Sequence, residues 1–142
     1  MGFFVRLLGQ DENQKAYLKA AIREEINISD AINAHMKWKR RLQNYLDGTS
    51  EEKLYADVIG MDNQCVLGKW IHGTGMNHFR NDEGFAKLRS DHASFHLIAG
   101  EVVRKVQAND KAGAVALIQS EYAQASRDVI HDLAELNNQL NP

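Results

Sequence analysis

The sequence has almost no proline and almost no cysteine. Its one proline is Pro142, so no proline interrupts a helix before that position. Its one cysteine, Cys65, excludes an internal disulfide and leaves that thiol as a buried small side chain, a reactive group or a metal ligand. No run of about 18 apolar residues is present, so the sequence predicts no membrane span. No signal peptide is recognisable either, and we expect a cytoplasmic protein.

The sequence also has no large excess of positive or of negative charge. The formal net charge is −2, which gives no general attraction to nucleic acid or to anionic lipid. Hydrophobic residues make up 44% of the 142 positions and charged residues 25%, as in an ordinary folded domain. We expect two parts, an apolar N-terminal segment over residues 1–10 and a helical domain over residues 11–142.

Helical periodicity dominates the rest of the sequence. Apolar residues recur at spacings of three, four and seven. No stretch shows a comparably strong alternation of apolar and polar residues, which would be typical of a strand. The predicted long helices run from Asp11 to Asp47, from Asn81 or Asp82 to a turn at 108–110, and from Asn109 or Asp110 onward. The predicted short helices run from a capping box at Thr49 and Glu52 through Ile59, and from Gln64 to Ile71, followed by a loop over 72–78. The sequence therefore predicts an all-α, four-helix-bundle-like fold with three long helices plus two short helices.

Three histidines and the cysteine form a candidate metal site. His92 and His96 are four residues apart in a strongly helical stretch, which places both imidazoles on one face, about one turn apart. His35 also falls in an apolar stripe of its helix. Cys65 lies near the start of a short helix, where backbone amides and the helix dipole favour a thiolate. Together they offer one sulfur and three nitrogen donors, the number and softness that tetrahedral zinc prefers.

Each of these residues, taken alone, has an ordinary structural explanation. A single histidine on an apolar face is usually a hydrogen-bonded core residue, and a single buried cysteine is usually inert. An enzyme is disfavoured, because four protein ligands leave no position on zinc for water. A nucleophile–base pair of Cys65 with one histidine would leave the other two histidines unexplained.

The surrounding residues resemble the chemoreceptor zinc-binding family, known as the CZB domain. The matching motifs are His35 with Trp38, Cys65-Val-Leu-Gly-Lys-Trp70, and His92-x-x-x-His96. The resemblance implies that the ligands of one zinc ion are His35, Cys65, His92 and His96. It also implies a bacterial cytosolic regulatory domain that stands alone or is attached to chemoreceptors or diguanylate cyclases.

The implied function is sensing of zinc or of oxidants such as hypochlorous acid, in chemotaxis or cyclic-di-GMP control. A structural zinc site that only staples a protein-interaction bundle needs the same four ligands, so the sequence leaves both functions open. A cysteine-dependent enzyme is the third alternative. No second domain is recognisable, and we expect a stand-alone or excised member. The resemblance also implies a homodimer, which could cover the apolar residues Phe3, Phe4, Leu7 and Leu8.

Overall fold

A computed structural model describes residues 11–141, and all regular structure within that range is helical. In chain order the helices are α1 (Glu12–Glu25), α2 (Ile28–Asp47), α3 (Ala56–Ile59), α4 (Val66–His72), α5 (Thr74–Phe79), α6 (Glu83–Gln107), α7 (Lys111–Leu117) and α8 (Ala123–Leu140). A π-helical turn, Ile118–Tyr122, joins α7 to α8 without a break. The predicted all-α bundle is confirmed. None of these helices is both long enough and apolar enough to cross a membrane. The predicted N-terminal segment 1–10 lies outside the described residues.

The first predicted long helix is wrong, because the chain forms two helices there. Ile26 is extended, with φ −146° and ψ 132°, and it ends α1. The side-chain oxygen of Asn27 then accepts a hydrogen bond from the Asp30 amide at 3.0 Å and begins α2. The break lets Ile22, Ile26 and Ile28 all reach the core. Residues 11–141 therefore contain four long helical segments and three short helices, rather than three and two.

The two connecting segments also differ from the prediction. Helix α3 begins at Ala56 instead of Thr49, because the polar side chains before it hold a loop: the Ser50 hydroxyl accepts from the Glu52 amide at 3.0 Å. The predicted loop over 72–78 is largely helix α5. Gly75 serves close packing there, since a Cβ at this position would lie 2.8 Å from the carbonyl oxygen of Trp70.

The centre of the bundle is formed by α2, α6 and α8, which pack against one another. Their contacting faces carry fully buried side chains such as Leu88, Phe95 and Leu133. Each such side chain contributes about 1.5–3 kcal/mol to stability when it leaves water. The predicted caps of α6 and α7 are present, with Asp82 accepting from Phe85 and Asp110 from Gly113. This packing turns the histidine-bearing faces of α2 and α6 toward each other.

Candidate metal centre

The four predicted donor residues meet at the junction of three helices. His35 lies on α2, and His92 and His96 lie one turn apart on α6. The three imidazoles are 2%, 0% and 3% exposed. Cys65 is the residue immediately before α4 and is partly buried. The structure therefore brings together side chains that are up to 61 positions apart, from His35 to His96.

The ligand atoms of these residues form a compact cluster. One donor atom from each of the four lies within 4.8 Å of all the others. Nε2 of His92 lies 3.2 Å from Nε2 of His35, 3.1 Å from Nε2 of His96 and 3.3 Å from Sγ of Cys65. Sγ of Cys65 is 3.6 Å from Nε2 of His96. His92 is thus the residue that contacts each of the other three donors.

Hydrogen bonds on the far side of two rings fix which nitrogen faces this cluster. Nδ1 of His35 donates to the carbonyl oxygen of Ala31 at 2.7 Å, and Nδ1 of His96 donates to that of Ile59 at 2.9 Å. A carbonyl oxygen only accepts, so both rings carry their proton on Nδ1 and direct a bare Nε2 lone pair inward. Buried Nδ1 of His92 has no hydrogen-bond partner among residues 11–141.

This arrangement fits a zinc ion. Zn–N bonds near 2.0–2.1 Å and Zn–S bonds near 2.3 Å give tetrahedral edges of about 3.3–3.4 Å between nitrogens and about 3.6 Å between nitrogen and sulfur. The four separations given above, 3.1–3.6 Å, match those edges within a few tenths of an ångström. Inward-facing lone pairs at such distances repel one another unless a cation or a proton lies between them. The donor set, one thiol and three imidazoles, also suits zinc.

Burial keeps the histidines neutral. Desolvation lowers the pKa of His35 and His96, and it lowers that of His92 to about 2, with help from the neighbouring His96 and His35. A neutral imidazole is the form that binds a metal. The apolar stripe of each helix therefore keeps these rings in the neutral form that metal binding requires.

Cys65 behaves differently from the prediction that its helix position favours a thiolate. Its Sγ does accept a hydrogen bond from the Gly68 amide at 3.3 Å, and amides at the start of α4 lower its pKa. Burial is the larger effect, however, and the pKa of the metal-free thiol is raised. The missing side chain of Gly68 makes room for the backbone of Asp62 and Asn63.

Aromatic residues around the cluster divide into a wall and a more distant core. The ring of Phe95 lies edge-on to His35 and His96, with centroids 5.2 and 5.3 Å away. Trp38 is half-buried and lines the surface cavities that reach Cys65. Trp70 packs instead against Phe79 and Phe85 in the core. Trp38 and Phe95 therefore border the cluster, whereas Trp70, the last residue of the Cys65–Trp70 motif, belongs to the core.

Two further parts of the site escaped the sequence analysis. The Ala31 carbonyl could have been found, because it lies one helical turn before His35. The Ile59 carbonyl could not, since it comes from α3, which is distant in sequence from His96.

In a comparison with known proteins, the model of one family matches the sequence. The chemoreceptor zinc-binding domain matches residues 35–103, a range that begins at His35 and includes the other three donor residues. No curated protein and no solved structure matches the chain. The matching family is regulatory and is not a known enzyme family. The match covers just under half of the chain and agrees with the four-residue cluster, so residues 35–103 are similar to the chemoreceptor zinc-binding domain.

Proposed function

We propose that this protein is a regulatory domain that binds one zinc ion through His35, Cys65, His92 and His96. The observation that carries the proposal is the convergence of one sulfur and three nitrogens within 4.8 Å of one another. Bound zinc would act as a closed tetrahedral centre that ties α2, α4 and α6 together. No ligand position is left for a substrate, which supports regulation rather than catalysis.

The stoichiometry and ligand set can be measured directly. Metal analysis of the purified chain should give one zinc per chain, and X-ray absorption should fit one sulfur and three nitrogens. Substitution of Cys65 or His92 by Ala should weaken zinc binding strongly. His131→Ala, which alters a largely exposed histidine on α8, is the matched control and should leave binding unchanged. A spectrum that requires oxygen in place of sulfur would refute the assignment of Cys65.

Oxidation of Cys65 is the regulatory chemistry we favour. The sulfur lone pair can attack the chlorine of hypochlorous acid, forming a sulfenyl chloride and hydroxide. Water then displaces chloride and leaves a sulfenic acid, so sulfur loses two electrons and chlorine gains them. Loss of the thiolate removes one of the four donors. Helix α4 has only seven residues and therefore little stability of its own, so we expect it to shift or unwind.

Mass spectrometry of Cys65 together with a zinc-release assay tests this redox step. Zinc should leave in parallel with Cys65 oxidation over a series of hypochlorous acid concentrations. Dilute peroxide should react poorly with the zinc-bound sulfur. Zinc that stays bound, or that leaves while Cys65 remains a thiol, would rule out redox sensing and leave zinc sensing.

The alternative is a structural staple, a zinc ion that only holds the helices together. The behaviour of the metal-free protein distinguishes this structural role from a regulatory one. The apolar core extends well beyond the ligands, so we expect the metal-free chain to keep most of its helix and to lose stability by mass action. Complete unfolding on chelation, followed by circular dichroism, would favour the staple.

The oligomeric state of the domain and the partner that it regulates form a separate part of the proposal. We expect a cytoplasmic homodimer that acts on a chemoreceptor or a diguanylate cyclase, because the family occurs in chemoreceptors. A reducing compartment also suits a free thiol ligand. The apolar residues Phe3, Phe4, Leu7 and Leu8, which lie outside the described residues, are the expected dimer contact. Sedimentation at micromolar concentration should give a dimer, and a monomer would refute this part alone.

A further inference from the structure

Two surface cavities reach Cys65 from different sides. One, of about 300 Å³, also contacts His96. The other, of about 680 Å³, also contacts His35. The side chains that line both cavities are Trp38, Arg41, Gln64 and Cys65. These shared residues form the wall between the cavities, with the half-buried indole of Trp38 as its largest member.

The Trp38 indole is held in place by a charged pair. The guanidinium carbon of Arg41 lies 3.7 Å from the centre of the Trp38 ring system, a close stacking contact. The same guanidinium donates two hydrogen bonds to Glu52, from Nε at 3.1 Å and from Nη2 at 2.7 Å. Arg41 therefore connects an indole on α2 to the loop that precedes α3. Its hydrogen bond also lowers the pKa of Glu52, as expected for a carboxylate held in the ionised form.

Arg41 can contact Trp38 and Glu52 at the same time because its guanidinium uses a different side for each. A planar guanidinium can stack on a ring with its face and bind a carboxylate with its edge at the same time. Trp38 cannot swing outward without breaking the stack, and Arg41 cannot follow it without breaking both hydrogen bonds to Glu52. These contacts fix the wall between the two cavities. Trp38, Arg41 and Glu52 lie beside the four-residue donor cluster, and none of them is one of its donors.

We propose that the Arg41–Glu52 pair, by fixing Trp38 between the two cavities, limits the size of the molecules that reach the sulfur of Cys65. Small thiol-reactive oxidants reach Sγ past the fixed indole, whereas a bulky planar reagent must displace the indole to bring its reactive carbon to Sγ. The inference deepens the proposed function, because it names the class of molecule to which Cys65 responds. Its geometric basis does not depend on which metal is bound.

Paired alkylation rates test the proposal on the 142-residue chain. Iodoacetamide is the small neutral probe and N-pyrenylmaleimide the bulky one, and mass spectrometry reports modification of Cys65, which is the only cysteine. The variants are Arg41→Gln and Glu52→Gln, whose side chains are 39% and 43% exposed, so neither substitution removes a core contact. Arg40→Gln is the matched control, since it removes the same charge from an exposed neighbour on α2. Both probes are neutral, which removes direct charge effects on their approach.

We expect the maleimide rate to rise about tenfold in both variants while the iodoacetamide rate stays within about twofold, because access controls thiol reactivity here. Arg40→Gln should match the parent protein. Equal rates in all proteins would overturn the proposal. A parallel rise of both rates would also overturn it, because general loosening of the fold admits both probes.

Each rate is measured with the metal present and again after chelation, with circular dichroism confirming the helical content. Absence of bound zinc combined with a changed rate ratio would refute the proposed function and retain the size limit. Bound zinc combined with an unchanged rate ratio would retain the proposed function and refute the size limit.

Discussion

Gly100 on α6 lies directly against the backbone of Ala56 on α3. A Cβ at residue 100 would lie 2.9 Å from the Ala56 carbonyl oxygen and 3.1 Å from Cα of Gly60, distances that leave no room for a side chain. The same contact brings the last residue of α3, Ile59, onto the ring of His96. A glycine one helical turn from a predicted ligand therefore controls how that ligand is oriented.

Replacing this glycine tests the relationship. Gly100→Ala should push α3 away, remove the Ile59 carbonyl from Nδ1 of His96 and raise the zinc dissociation constant about 10–100-fold. Competition with a chromogenic chelator measures the change. Gly48→Ala is the control: Gly48 has φ +76°, so alanine there should cost about 1 kcal/mol of stability without altering zinc affinity. Equal zinc affinity in the parent and Gly100→Ala would show that α3 does not orient His96.

Proton release on zinc binding should be small and should come from one residue. Burial lowers the pKa of all three histidines and raises that of Cys65, so at pH 7 only the thiol must lose a proton. We expect about one proton per zinc, and hence about a tenfold gain in affinity for each pH unit between 6 and 8.

Calorimetry in buffers of different ionisation enthalpy counts these protons. Cys65→Ala should release none. A count of three or four would mean that the histidines are protonated before zinc arrives, and that the site is not preformed.

The hydroxyl of Tyr122 provides a third test. It is buried in the π-helical turn and has no hydrogen-bond partner within residues 11–141, while the ring packs against Phe95. Burial raises its pKa, because the phenolate is poorly solvated there. Tyr122→Phe keeps the ring contact and removes the unpaired group. The free energy of unfolding should stay the same or rise by about 1 kcal/mol in urea denaturation.

Tyr17→Phe, on an 80% exposed residue, is the control and should have no effect. A loss of more than about 1 kcal/mol in Tyr122→Phe would reveal that the hydroxyl does have a partner.

Local sequence patterns predicted the fold class and the pair His92 and His96, because both depend on short spacings, whereas His35 and Cys65 were added to the pair by their donor chemistry and by the family resemblance. The pairing of His92 with His96 follows from the helical repeat, and the stripes around them indicated burial. The features that were missed depend on contacts between distant segments. Nothing near Gly100 indicates that α3 packs on it, and the break at Ile26 depends on the burial of three isoleucines more than on helix propensity. The role of the four donors as ligands stays a prediction.

The last prediction concerns Asp132, a carboxylate on α8 that is fully buried. One of its oxygens accepts from Lys87 at 3.2 Å, and Lys87 also binds Asp91 at 2.6 Å. Its other oxygen has no partner in the part of the chain that the structure describes when both carboxyls are ionised. Burial, together with the nearby Asp91, raises the pKa of Asp132 from 3.8 to about 7.

The sign of the pH dependence follows from this shift. Between pH 3.8 and about 7 the folded protein holds a proton on Asp132 that the unfolded chain has already lost. The contribution of this group to stability is therefore full at low pH and is lost as the pH rises through that window. The loss amounts to about 2–4 kcal/mol at pH 8.

Asp132→Asn removes the ionisation while keeping the shape and a donor toward Asp91. Relative to the parent protein, it should raise the free energy of unfolding by about 2–4 kcal/mol at pH 8 and by roughly a third of that at pH 5, where part of the loss is already present. Urea denaturation at the two pH values measures this, and the parent–variant difference cancels the pH dependence of zinc binding. Asp128→Asn, one turn earlier and hydrogen-bonded at the helix surface, should give the same small difference at both pH values. A gain for Asp132→Asn that is equal at pH 5 and pH 8 would mean that this carboxyl does not titrate between them.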